Sequence, residues 1–262
     1  MEKDPEKSRA FHEIHRLTGQ AVGRYDMIRP GDRLLLGVSG GKDSLTLAHV
    51  LHVMKRRSPI RFELQLATFD PMFPDFGMAA LEAYCGAQNW PLHITRLDIG
   101  ELIREKNFDN PCMICSRLRR GKLYGLAAQL GCNKLVLAQH LDDAIVSLLM
   151  SMARGQGIST MGPNVAAKEE NIRIIRPLIM VPEPLIVESA ANFDFPNAGK
   201  CAFAERLEVD GDRAYFKRLL TGIEQRIPHI RNQMLRSMSH LEPEYLLDTA
   251  FLNINDDQEE KR

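Results

Sequence analysis

Aromatic residues are scarce, at 6% of 262 residues with a single tryptophan, so aliphatic side chains and methionines must fill the core. No apolar run approaches the roughly 20 residues that cross a bilayer, which excludes a membrane-spanning helix. The first ten residues are charged and lack the apolar stretch of a secretory signal. A cytoplasmic protein without membrane association is expected. Cysteines number five, an odd count that suits a reducing compartment better than a disulfide framework. Neither sign of charge is in excess, with 34 basic and 34 acidic residues. A nucleic-acid binder of this composition has to gather its positive charge locally. There is no internal repeat.

The length suits one large α/β domain with a small appendage. Apolar residues at helical spacing from Phe11 to Ile28 predict an amphipathic helix, whose apolar face offers a surface for a homodimer. Pro30-Gly31-Asp32 breaks it. The continuous apolar run Leu34 to Val38 reads as a buried parallel strand. Strands are expected again at 62–69, 92–97, 134–138 and 172–175. Helices are expected at 44–54, 77–88, 116–130 and 142–153, and 155–170 reads as a mobile loop. The alternation predicts a doubly wound parallel sheet with helices on both faces. From Pro182 the pattern turns helical. Four segments follow: helical over 1–30, nucleotide-binding α/β over 31–180, helical over 181–250, and a disordered tail over 251–262.

The most informative segment is Gly37-Val38-Ser39-Gly40-Gly41-Lys42-Asp43-Ser44, which follows a strand and opens a helix. Backbone amides at such a junction form an anion site, reinforced by the helix dipole. Lys42 adds charge, and Ser39 and Ser44 can donate hydrogen bonds. It is not a Walker A loop, because Asp43 rather than Ser or Thr follows the lysine. A carboxylate there fits magnesium-bound pyrophosphate, with Asp43 as the magnesium ligand. Asp70 ends the second strand, and His140-Leu141-Asp142-Asp143 follows the fourth. Both lie at the carboxyl edge, where parallel sheets bind ligands. Asp70, His140 and Asp143 are candidates for nucleotide or magnesium, while one of Asp142 and Asp143 can equally cap the helix.

Cys112 and Cys115 stand just before a helix at a metal or redox spacing. Zinc, a redox pair and an iron–sulfur cluster all use it. Cys201 is a candidate third ligand. Cys85 and Cys132 read as packing residues. Basic residues cluster at Arg117, Arg119, Arg120 and Lys122, at Lys55, Arg56, Arg57 and Arg61, and between Arg213 and Arg236.

Ser-Gly-Gly-Lys-Asp-Ser at 39–44 resembles the PP-loop signature of enzymes that cleave ATP between the α and β phosphates. The run Pro111 to Gly121, Asp70, the motif at 140–143 and Ile174-Ile175-Arg176-Pro177-Leu178 resemble the tRNA 2-thiocytidine synthetases over most of the chain. The resemblance implies an adenine nucleotide alpha hydrolase-like fold with a small helical C-terminal region. It implies a tRNA sulfurtransferase using ATP, magnesium and a 4Fe-4S cluster on Cys112, Cys115 and Cys201. That enzyme adenylates the C2 oxygen of cytidine 32 and replaces it with sulfur from a donor such as a cysteine desulfurase. Catalysis would involve Lys42, Asp43 and the three cysteines. One departure is Leu141, where the family pattern carries arginine, at a place expected beside the acceptor base. Two other readings are an adenylating enzyme with another acceptor, and a non-catalytic cluster- or RNA-binding protein.

Overall fold

The computed structural model describes residues 4–72, 77–98, 101, 111–167, 171–197 and 211–252; for 111–114 and 116 only the backbone is described. Six strands form one sheet: β1 Arg33–Gly37, β2 Glu63–Asp70, β3 Leu92–Arg96, β4 Lys134–Val136, β5 Asn164–Ala166 and β6 Arg173–Ile175. Their order is β3-β2-β1-β4-β6-β5. All neighbours are parallel except β5, which runs antiparallel to β6. The segment expected as a mobile loop therefore contains an edge strand. The chain moves outward from β1 to β3 and then returns to place β4 on the other side of β1. That reversal opens a crevice between the carboxyl ends of β1 and β4.

β1 lies at the centre because it can bury both faces. Leu34, Leu35 and Leu36 are all fully buried. Leu34 and Leu36 join one core with helices α1 (Arg9–Arg24) and α2 (Lys42–Arg57). Leu35 joins the opposite core with Leu123, Tyr124 and Ala127 of α4 (Pro111–Gln129). The apolar face of α1 (Phe11, Ile14, Ala21, Val22) is taken up inside this chain's own core. The Ser8 hydroxyl caps that helix by accepting the Phe11 N–H at 3.2 Å. Helix α3 (Met78–Ala87) packs on β3.

At the amino edge, Asp32 locks β1 to β4. Its carboxylate accepts from the Arg29 N–H at 2.7 Å and the Asn133 amide at 2.7 Å, with Lys134 Nζ buried 3.7 Å away. The starts of the two strands are thus tied, so their far ends come out side by side.

Three helical pieces close the far side. Helix α6 (Glu183–Ala190) packs on α1 and α2. Helices α7 (Asp212–Arg226) and α8 (Ile230–Met238) pack on α5 (Leu141–Ala153). Leu141, Ile145 and Leu220 form that contact and are at most 1% exposed. Leu141 is thus a core residue that seats α7, not an open position beside an acceptor. Among the described residues, no helix is long and apolar enough to cross a membrane.

Candidate active site

The loop after β1 is held by its own serines. Ser39 N–H donates to Ser44 Oγ at 3.1 Å, Gly41 N–H donates to Ser39 Oγ at 3.3 Å, and Ser44 Oγ–H donates to the Gly41 carbonyl at 3.0 Å. Gly40 has φ +80°, a left-handed conformation that a side chain would strain. Gly41 is the N-cap of α2 with no side-chain cap, and helical geometry leaves the first-turn amides without an internal acceptor. These amides and the helix dipole define an anion cradle.

Lys42 stands at its mouth. Its Nζ donates to Glu183 Oε1 at 2.9 Å and lies 3.1 Å from Asp43 Oδ1. The second Glu183 oxygen accepts from Lys217 Nζ of α7, also at 2.9 Å. Burial works against the Glu183 carboxylate, but hydrogen bonds from Lys217 and Lys42 overcome it and bring its pKa down to about 2. Burial likewise opposes the charge on Lys42, and Asp43 and Glu183 more than offset that, lifting its pKa above the ordinary lysine value. Lys42 and Glu183 therefore stay charged at neutral pH.

His140, only 2% exposed, is the N-cap of α5. Its Nε2 lies 3.4 Å from Asp143 Oδ2 and 3.9 Å from Glu183 Oε1. Asp143 also accepts the His140 N–H at 3.2 Å, so it caps the helix while facing the site. Asp142 serves structure. One of its oxygens accepts from the Glu183 N–H at 2.8 Å, the other from Arg231 Nε of α8 at 2.7 Å. Arg231 also pairs with Glu224 of α7. This buried chain fixes where α6 begins, and hence where Glu183 stands.

The structure thus brings together Ser39, Gly40, Gly41, Lys42, Asp43, Ser44, His140 and Asp143. Asp70 ends β2 at the same edge, but its polar contacts are the Met72 N–H at 2.8 Å and Arg96 at 3.5 Å. Sequence reasoning missed Glu183, Lys217 and Arg231. Glu183 sits at the first position of a helix after a proline, which reads as ordinary helix-start chemistry. Lys217 and Arg231 lie in a basic run read as phosphate-facing surface, whereas the structure gives both to internal ion pairs. Arg213, Arg218, Arg226 and Arg236 remain exposed. Arg176 was singled out by pattern only. It is half-buried, and it donates to Gln139 and to the Gly162 carbonyl.

Cys112 and Cys115 lie within the first turns of α4, not before it. Leu123 packs against Gly37, at the end of β1, and Arg119 lies over the Phe69 ring near the end of β2. Position 115 is four residues earlier, about 6 Å farther along the axis. Positions 112 and 115 therefore share a helix face beyond the carboxyl edge. Cys201 and the Cys112 side chain lie outside the described residues, as does the expected tail of 251–262 from residue 253 on, while Phe251 ends a short 3-10 helix, Thr249–Phe251. Cys85 and Cys132 are buried, and burial raises both thiols, Cys85 to about 11.

A mostly parallel sheet with an anion-binding loop at its reversal point, and lysine and aspartate opening the next helix, defines a PP-loop nucleotide enzyme. The PP-loop domain family matches residues 12–195. The tRNA-cytidine(32) 2-sulfurtransferase of Syntrophotalea carbinolica is 37% identical over 246 residues, covering 93% of this chain and 95% of that protein. Its counterpart from Geobacter sulfurreducens is also 37% identical, covering 94% and 96%. The chain belongs to the tRNA-cytidine(32) 2-sulfurtransferase family of PP-loop enzymes. The U34-tRNA thiolase NcsA from Methanococcus maripaludis, solved with its [4Fe-4S] cluster, shares the fold. Its TM-score is 0.72 at 21% identity, covering 89% of this chain and 80% of that one.

Proposed function

We propose that this enzyme replaces the C2 oxygen of cytidine 32 in tRNA with sulfur, after ATP has adenylated that oxygen. The observation that carries the reading is the loop at 39–44, with the first-turn amides of α2 left without an internal acceptor and Lys42 poised on Glu183. The β and γ phosphates of ATP rest on those amides, with Lys42 neutralising their charge. The C2 oxygen attacks the α phosphorus, and the bond to pyrophosphate breaks. The sulfur nucleophile then adds at C2, and AMP departs with the oxygen. Adenylation is needed because the cytidine oxygen is a poor leaving group and AMP a good one.

Magnesium fits at Asp43. Its Oδ1 is buried without a hydrogen-bond donor, since Lys42 stands close but out of line, and Asp43, His140 and Glu183 can bring one ligand atom each within 4.8 Å. There it would neutralise charge on the departing pyrophosphate. A 4Fe-4S cluster on the thiolates of Cys112, Cys115 and Cys201 would supply the sulfur in activated form. The donor set suits it, because the chain's other two cysteines are buried packing residues. The sulfur would come from a cysteine desulfurase, in the cytoplasm. Exposed Arg117, Arg120 and Lys122 on α4 flank the cysteine end and would take tRNA phosphates.

The test supplies unmodified tRNA, ATP and a sulfide source without oxygen, and measures pyrophosphate release and 2-thiocytidine together. The expected result is matched formation of both, with Lys42→Ala slower by roughly 100-fold. Unchanged pyrophosphate release in that variant would remove the loop from the reaction.

A further inference from the structure

Glu183 presents a difficulty for any polyphosphate site. Its carboxylate stands beside the anion cradle and, where no cation covers it, repels the ligand that the cradle is built to hold. Its position is nevertheless over-determined. Its backbone N–H is fixed by Asp142, which is fixed in turn by buried Arg231. Its two oxygens are divided between two ammonium groups at the same distance, 2.9 Å. One belongs to the phosphate loop. The other, Lys217, comes from α7, beyond the sheet and 34 residues further along the chain than Glu183.

We propose that Lys217 is a second phosphate-binding lysine of the ATP site, with Glu183 as the positioning residue that spaces it from Lys42. This rests on the reading of the 39–44 loop as the ATP site. Without nucleotide, Glu183 neutralises the two lysines and keeps both side chains extended towards one point. When the β and γ phosphates arrive, each lysine exchanges part of its contact with Glu183 for a phosphate oxygen. The entropy of ordering two long side chains is then spent in folding rather than in binding. Lysine suits this exchange because its ammonium has three donors and can serve carboxylate and phosphate together. Leu220, three residues after Lys217 and packed on Leu141 and Ile145, anchors the helix that carries it.

The experiment compares binding of ATP, pyrophosphate and AMP to the full-length protein by calorimetry, with thermal unfolding beside it. Lys217→Met is expected to weaken ATP and pyrophosphate by about 10-fold or more and to leave AMP unchanged, because AMP lacks the phosphates concerned. Lys217→Arg should restore most of the loss, and Glu183→Gln should weaken ATP while sparing AMP. Should ATP and AMP weaken together in Lys217→Met, the lysine is structural and the proposal falls. If ATP binding is unchanged in Lys217→Met but lost in Lys42→Ala, the proposal falls while the loop remains the ATP site. ATP binding unchanged in both variants would overturn the loop reading as well.

Discussion

Asp142 is buried between two demands, accepting from Arg231 through one oxygen and from the Glu183 amide through the other. Arg231 and Asp142 have side chains only 8% and 3% exposed. Removing one member of a buried pair leaves the other charge under-compensated, at a cost of about 3 kcal/mol or more. Asp142→Ala should lose about that much in urea unfolding, and Asp142→Asn distinctly less. A loss below about 1 kcal/mol would mean that Glu224 alone can hold Arg231. At this scale, the sequence revealed what depends on local spacing. Ser39 to Ser44 are contiguous, and their chemistry follows from that order. Glu183 and Lys217 come to the site from 141 and 175 residues beyond Lys42, and only the fold brings them there. Leu141 shows the opposite limit: its departure from the family pattern looked functional, and it proves to pack against Leu220.

The outer side of helix α2 carries a titration that belongs to the element. His52 stacks on Trp90 with ring centroids 4.4 Å apart, and its Nδ1–H donates to the Ala48 carbonyl at 2.8 Å. Burial lowers its pKa to about 4. In the unfolded chain it titrates near 6.5, so between these values the unfolded state binds more protons. Stability should fall as pH drops from about 6.5 to about 4, below which this group causes no further loss. His52→Phe keeps a ring on Trp90 and should reduce that slope in urea midpoints measured against pH. His49 and His15, also lowered by burial, should preserve part of it. An unaltered slope would show that His52 titrates alike in the native and unfolded states. Elements with strong periodicity were readable in advance. β5 was not, because Asn164-Val165-Ala166 is three residues long and follows a glycine- and proline-bearing stretch. The start of α4 was signalled by Pro111, a residue pre-formed for the first helical position, although the cysteine spacing drew the boundary later.

At the scale of the whole molecule, strand–helix alternation announced the sheet and its open crevice. The docking of α7 and α8 was not legible, since a helix pattern shows that a face is apolar without showing what it meets. The cysteines extend across both parts of the sequence. Protein purified without oxygen should carry about four irons per chain and a broad visible absorbance. The triple variant Cys112/Cys115/Cys201→Ala should lose both and still bind ATP. Colourless, iron-free wild-type protein would remove the cluster from the reaction and leave adenylation standing.

The ion pair between Glu183 and Lys217 can form only late in synthesis. A ribosome adding about 5–20 residues per second makes Lys42 some 10–35 s before Lys217. Through that interval the emerging sheet has its glycine loop but not the second ammonium, and α5 has no partner for Leu141. The pairing of Glu183 with both lysines and the burial of Leu141 are therefore contacts of the later-made chain, formed after the loop, β1 and α5 have been synthesised.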